Sequence, residues 1–133
     1  ARYVMLDTMA GLASITDFAL GRVWEGKTGP VVTATAIFTN TGDTPIEAVR
    51  LGIVICDYFD EVFANYKVSL LGEIEPGATD SLKQDVPLNA RRTPLTGFIW
   101  VDAVRLSDRR LLTVPSELVD RMIDAHLAEG RQV

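Results

Sequence analysis

Turn signals recur about every 8 to 12 residues through most of this chain, and that spacing constrains its fold more than any other feature. The segments between the turns are rich in β-branched and aromatic residues. They predict strands at residues 14–24, 31–40, 46–57, 62–71, 79–86, 95–106 and 111–114. Because no helical pattern separates them, neighbouring strands are expected to pair antiparallel. The sequence therefore predicts a mostly β fold, an antiparallel immunoglobulin-like β-sandwich of about seven strands with one C-terminal α-helix.

Side-chain alternation gives several of these strands a place in the sandwich. Residues 31–40 alternate between an apolar face and a threonine-rich face, which is the period of a half-buried strand. Residues 46–57 begin in the same way but become apolar on both faces at Val54 and Cys56, so we expect a central strand that is covered on both sides. Residues 79–86 are polar and charged, which is typical of an edge strand. Trp100 lies inside an apolar strand and is expected in the core.

The C-terminal segment changes from a period of two to a period of 3.6 residues. Pro115 suits the first helical position and Gly130 suits the stop, so residues 115–130 predict an amphipathic helix. Its apolar arc spans roughly half the circumference. The helix either caps an open end of the sandwich or offers part of this arc to another chain. The residues predicted to contact such a partner are Leu118, Met122, Ile123, His126 and Leu127.

Residues 14–114 form the predicted sandwich, and residues 1–13 form either an N-terminal arm or an extra strand. The formal charge of −5 argues against nucleic acid or an anionic membrane as the main partner. No run of about 18 apolar residues predicts a membrane span. The single cysteine excludes an intrachain disulfide, and Ala1 fits both a processed and a trimmed terminus. We expect an exported, periplasmic or cell-envelope protein.

No motif in the sequence predicts catalysis, a metal site or a cofactor. His126 is the only histidine, so a blue-copper site is excluded, and no nucleophile elbow accompanies it. The position of His126 on the helix predicts a packed imidazole. The glycines are scattered at turns and form no phosphate-binding loop. We therefore expect a protein that is not an enzyme and holds neither a metal nor a cofactor.

One predicted hairpin connection carries residue types that suit a small ligand. It comprises Asp57, Tyr58, Phe59, Asp60 and Glu61. Aromatic faces stack on sugars and carboxylates accept hydrogen bonds from hydroxyl groups, so a carbohydrate-like ligand is one interpretation. A solvated polar turn is the other interpretation, and the stretch lacks the alternating acids and glycine of a calcium loop.

Residues 31–86 resemble the FxLYD-type and related immunoglobulin-like modules of bacterial cell-envelope proteins. One strand ends in Asn40-Thr41-Gly42, a second apolar strand ends in Asp57 before a hairpin, and Glu75-Pro76-Gly77 precedes a later strand. Of the pattern that names the family, only Asp57 matches identically. The resemblance implies a binding or spacer module. We accordingly expect a non-enzymatic protein–protein interaction module, an accessory subunit or envelope-facing domain of a larger assembly, with small-ligand binding as the alternative.

Overall fold

A computed structural model describes residues 2–132 as eight strands followed by one helix, which confirms the mostly β fold. The strands are β1 (Arg2–Leu6), β2 (Ala13–Gly26), β3 (Gly29–Asn40), β4 (Ile46–Cys56), β5 (Val62–Ile74), β6 (Thr79–Pro87), β7 (Thr96–Leu106) and β8 (Leu111–Thr113), and the helix is α1 (Ser116–Glu129). The strands form a five-stranded sheet in the order β1-β7-β4-β5, with β8 also paired to β7, and a three-stranded sheet in the order β2-β3-β6. The main core lies between the two sheets.

One detail of the strand prediction is wrong. The seven strands predicted between residues 14 and 114 are all present, and β1 is an extra strand, but the five-stranded sheet is not wholly antiparallel. The exception is β1, which pairs in parallel with β7 from Thr96 to Trp100. The N-terminal segment therefore contains a strand, while Ala1, whose origin the sequence left open, lies outside the described residues.

The predicted positions of two strands are confirmed. β4 lies between β7 and β5, and its two faces contact different cores. Leu51 and Ile53 are fully buried between the sheets, whereas Val54 and Cys56 belong to a second core on the other face. β6 pairs only with β3 and is therefore an edge strand, as its polar sequence indicated.

Helix α1 lies across the outer face of the five-stranded sheet instead of capping an end of the sandwich. Every fourth helical residue, from Val119 through Ile123 to Leu127, is buried in the second core. The sheet side of that core is formed by Val54, Cys56, Phe98 and Trp100. The helix is needed there because β4 and β7 carry apolar side chains on both faces, and the outer face would otherwise meet water. The helix begins one residue later than predicted, since Pro115 occupies the N-cap and keeps an extended backbone.

The second core depends on a close approach between Trp100 and Gly52. These residues are partners in the register of β7 and β4. A Cβ atom added at Gly52 would lie 2.2 Å from Cζ2 of Trp100, so the indole ring lies directly over the bare backbone of β4. Trp100 is 3% exposed, which confirms the prediction that it is a core residue. Within residues 2–132, no helix is both long enough and apolar enough to cross a membrane.

Candidate functional site

The connection between β4 and β5 is a tight turn held together by the carboxylate of Asp57. Oδ1 of Asp57 accepts hydrogen bonds from the backbone N–H groups of Phe59 (2.8 Å) and Glu61 (3.1 Å). The backbone closes the same turn, because the N–H of Asp57 donates to the carbonyl of Glu61 at 3.0 Å. Asp60 adopts φ 62°, a left-handed conformation that aspartate tolerates better than most residues. The sequence folds this way because an aspartate at the start of a turn can replace backbone partners.

Arg92 fixes this turn from the neighbouring loop. Its Nη1 donates to Oδ2 of Asp57 and to Oε2 of Glu61, both at 3.0 Å. Burial alone would raise the pKa of Asp57, but the hydrogen bonds from Phe59, Glu61 and Arg92 together hold that pKa below its usual value. The same two carboxylates raise the pKa of Arg92. Both oxygens of Asp57 are thus engaged within the protein, which gives this residue a structural role.

The two aromatic residues of the turn project into solvent. Tyr58 is 60% exposed and Phe59 is 85% exposed, although both are large and apolar. Phe59 is therefore almost fully hydrated on a turn whose backbone is fixed on both sides. An exposed aromatic ring gains no burial energy on folding, and its rigid support reduces the entropy lost if it binds a partner.

A cleft lies on each side of Tyr58. One, of about 420 Å³, separates the turn from the C-terminal end of α1, and its polar lining includes Asp60, His126 and Glu129. The other, of about 460 Å³, includes Glu61 and Arg92 in its lining. All five predicted ligand-binding residues lie in this one turn. Asp57 supports that turn and also lines the second cleft, and the other four residues line one or both clefts.

The predicted interaction residues on α1 fall into two groups. Ile123 and Leu127 are buried against the chain's own sheet, so they are not offered to another chain. Leu118, Met122 and His126 are half-buried along the flank of the same stripe. The ring of His126 packs edge-on against Phe98 with 5.5 Å between ring centroids. The wide apolar arc therefore serves mainly to cover the five-stranded sheet.

Sequence reasoning missed a charge cluster beside the N-terminal half of α1, in which a buried aspartate is bound by two partly exposed cations. Asp102 is 4% exposed and occupies a β-bulge in β7. Its carboxylate accepts hydrogen bonds from Arg50 (2.8 Å), Lys67 (2.9 Å) and Trp100 (3.0 Å). Burial alone would raise the pKa of Asp102, but these three donors together hold it below its usual value. The signal was present in the sequence, because a lone aspartate inside an apolar strand requires partners.

Within residues 2–132, no three side chains of His, Cys, Asp or Glu are grouped so as to hold a metal ion. Comparison with known proteins found no family model that matches the chain and no curated protein with a similar sequence. The resemblance of residues 31–86 to FxLYD-type modules therefore stays a hypothesis.

Proposed function

We propose that this domain is a non-enzymatic protein–protein interaction module, an accessory subunit or envelope-facing domain of a larger assembly, that binds its partner through the tip of the β4–β5 turn. The observation that carries this function is the 85% exposure of Phe59 on a turn fixed by Asp57 and Arg92. An exposed aromatic ring on a rigid loop is a typical anchor of a protein interface.

The energetics favour this turn as a binding surface. Moving a phenylalanine side chain from water into a partner's pocket stabilises a complex by roughly 1.5–3 kcal/mol. Little conformational entropy is lost on binding, because the backbone of Phe59 is already held by Asp57. Tyr58 adds a second aromatic ring that also carries a hydroxyl group.

The long edge strands of the two sheets are poor alternatives for recruiting a partner strand. β2 is interrupted by two register irregularities, and β5 carries Lys67 at its middle and a distorted glycine, Gly72 (φ 143°), near its end. β6 carries alternating charges and ends at Pro87. Bulges, charges and prolines on edges are devices that prevent strand addition. Side chains of the turn are therefore the preferred contact.

We also propose that the sandwich is immunoglobulin-like, as the resemblance implied. The order β2-β3-β6 against β5-β4-β7 corresponds to an A-B-E sheet facing a C′-C-F sheet, with the position of strand G shared by β8 and β1. The assignment to the envelope modules of bacteria, and with it an exported location, is proposed on the resemblance of residues 31–86 alone. Circular dichroism cannot separate sandwich types, so an experimental structure with the same strand order is the test of this point.

Affinity capture with two matched variants tests the proposed function. Phe59→Ser removes the exposed ring in the turn before β5, and Leu71→Ser removes a side chain that is equally exposed (86%) near the far end of β5. We expect a protein that co-purifies with the wild type in stoichiometric amounts to be lost with Phe59→Ser and kept with Leu71→Ser. Unchanged melting temperatures show that both variants stay folded. Three results contradict the proposal. The Phe59→Ser variant keeps the partner, both variants lose it equally, or the wild type elutes alone as a 14.6 kDa monomer.

A small-ligand function is the second candidate, and the clefts on both sides of Tyr58 favour it. The ligand class is a carbohydrate, stacked on Tyr58 and hydrogen-bonded to Asp60 or Glu61. Glycans from a broad panel are expected to change tyrosine fluorescence or the NMR shifts of residues 57–61, and Tyr58→Ala is expected to abolish the change. A panel in which no glycan shifts these signals refutes this candidate.

A further inference from the structure

β1 fills a gap that β8 leaves on the edge of β7. β8 pairs with β7 only from Ala103 to Arg105, whereas β1 pairs with the other half of the same edge, from Thr96 to Trp100. β1 is the one parallel strand among the described residues, and it lies far along the chain from its partner. No hairpin ties β1 to β7. Its covalent tie is the short connection at residues 7–12 that leads to β2.

We name the edge of β7 from Thr96 to Trp100 the strand slot. The strand that occupies it contacts the protein on both faces of the sheet. Val4 and Leu6 pack on the second core beside Phe98 and Trp100. Tyr3, on the opposite face, contacts Phe18 edge-on at 5.8 Å and donates its hydroxyl to the carbonyl of Leu20. An occupant must therefore be an extended segment with apolar side chains on both faces, as this N-terminal segment is.

β1 is also held weakly compared with the other strands. None of its five residues is buried, and Tyr3 and Met5 are more than 40% exposed. The chain is fixed again only after Asp7, where the hydroxyl of Thr8 donates to the carbonyl of Val101 and Met9 enters the main core. Asp7, which lies between β1 and this anchor, is exposed. Strands with few buried contacts open locally at lower free energy than central ones.

We infer that β1 is an exchangeable strand and that the strand slot accepts β1 from a second copy of this chain, giving a reciprocal strand-swapped dimer. The two occupants are chemically identical, so the pairs in the slot are the same within one chain and between two chains. A released β1 leaves Phe98 and Trp100 without their cover at the sheet edge, which favours refilling of the slot over an open state. This inference does not depend on the role of the β4–β5 turn.

Cysteine trapping tests the exchange directly. Arg2 and Thr96 are register partners, so cysteines at these positions in one chain are expected to form an intrachain disulfide. Cys56 is the register partner of Thr96 on the other side and is replaced by alanine in every variant used. Chains with Arg2→Cys alone are then mixed at high concentration with chains carrying Thr96→Cys alone and are oxidised mildly. We expect covalent dimers in the mixture.

The control pairs the Arg2→Cys chain with a Leu111→Cys chain, whose new thiol is exposed but lies outside the slot. Exchange predicts at least about tenfold more dimer with Thr96→Cys than with this control. Equal yields refute exchange. Failure of the double variant to close within one chain refutes the slot pairing itself.

Hydrogen exchange on the unmodified chain provides a measurement that needs no substitution. The amides of β1 are expected to exchange at least about tenfold faster than those of β4, because β1 opens without global unfolding. Equal protection of β1 and β4 shows that the strand does not leave its slot and overturns the inference.

Discussion

Replacing Gly52 with alanine is the sharpest test of how α1 and the five-stranded sheet pack. The added Cβ would lie 2.2 Å from Cζ2 and 2.4 Å from Cε2 of Trp100. Carbon atoms in contact are normally about 3.5–4.0 Å apart, so the ring has to move by more than about 1 Å. Its movement is opposed, because α1 covers it and its Nε1 is bonded to Asp102 at 3.0 Å.

The expected cost follows from these contacts. Overpacking a core costs about 1–3 kcal/mol, and losing a hydrogen bond to a buried carboxylate costs about 1.5–3 kcal/mol. Alanine in place of glycine in a strand recovers about 0.5–1 kcal/mol. We therefore expect Gly52→Ala to lower the free energy of unfolding by about 2–5 kcal/mol. With a urea slope of about 1–3 kcal/mol/M, the midpoint is expected to fall by at least about 0.7 M.

Urea unfolding at 25 °C, followed by circular dichroism, measures this loss. Gly21→Ala is the matched control, because its Cβ would meet only the carbonyl oxygen of Thr33 at an ordinary 3.5 Å. The control is expected to be as stable as the wild type or more stable by up to about 1 kcal/mol. In a Trp100→Leu background, the cost of Gly52→Ala is expected to shrink, since the two sites are in contact. A Gly52→Ala chain as stable as the control would refute the packing described here.

Three further predictions concern buried polar groups. Asp102→Asn is expected to lower the free energy of unfolding by about 1–3 kcal/mol, measured by urea unfolding. This difference from the wild type is expected to persist above pH 4 and to shrink as the pH falls through the depressed pKa of Asp102. A difference that does not depend on pH contradicts this. Burial, together with the nearby carboxylates of Asp60 and Asp57, raises the pKa of Cys56 to about 11, so Ellman's reagent at pH 8 is expected to react only after unfolding, and rapid reaction of the native chain would contradict it. Asn40→Ala removes two donated hydrogen bonds and one accepted hydrogen bond and is expected to cost about 2–4 kcal/mol in thermal or urea unfolding, with a loss under 0.5 kcal/mol counting against the assignment.

The strand pattern could be predicted because parity is a local property. The alternation from Val32 to Phe38 identifies its buried face without reference to any other strand. The polar character of β6 likewise marks an edge wherever the strand is placed. The structure keeps both features because each depends only on which face of a single strand is buried and which meets solvent.

Features that depend on two distant segments could not be predicted in the same way. The parallel pairing of β1 with β7 joins positions such as Val4 and Phe98, which share no turn signal. Helix α1 lies where it does because it covers the outer face of β7. The sequence shows that this face is apolar, but an apolar face can be covered by the chain's own helix or by another chain. The role of Asp57 depends in part on Arg92, which lies 35 residues further along the chain and which no local pattern connects to the turn.

The most direct measurement of the central claim is a hydrogen-exchange footprint of this domain in complex with its co-purifying partner protein. We expect strong new protection of residues 57–62, which contain Tyr58 and Phe59, and little change in α1. New protection confined to α1, or to the outer face of the three-stranded sheet, would contradict the claim that the β4–β5 turn binds the partner.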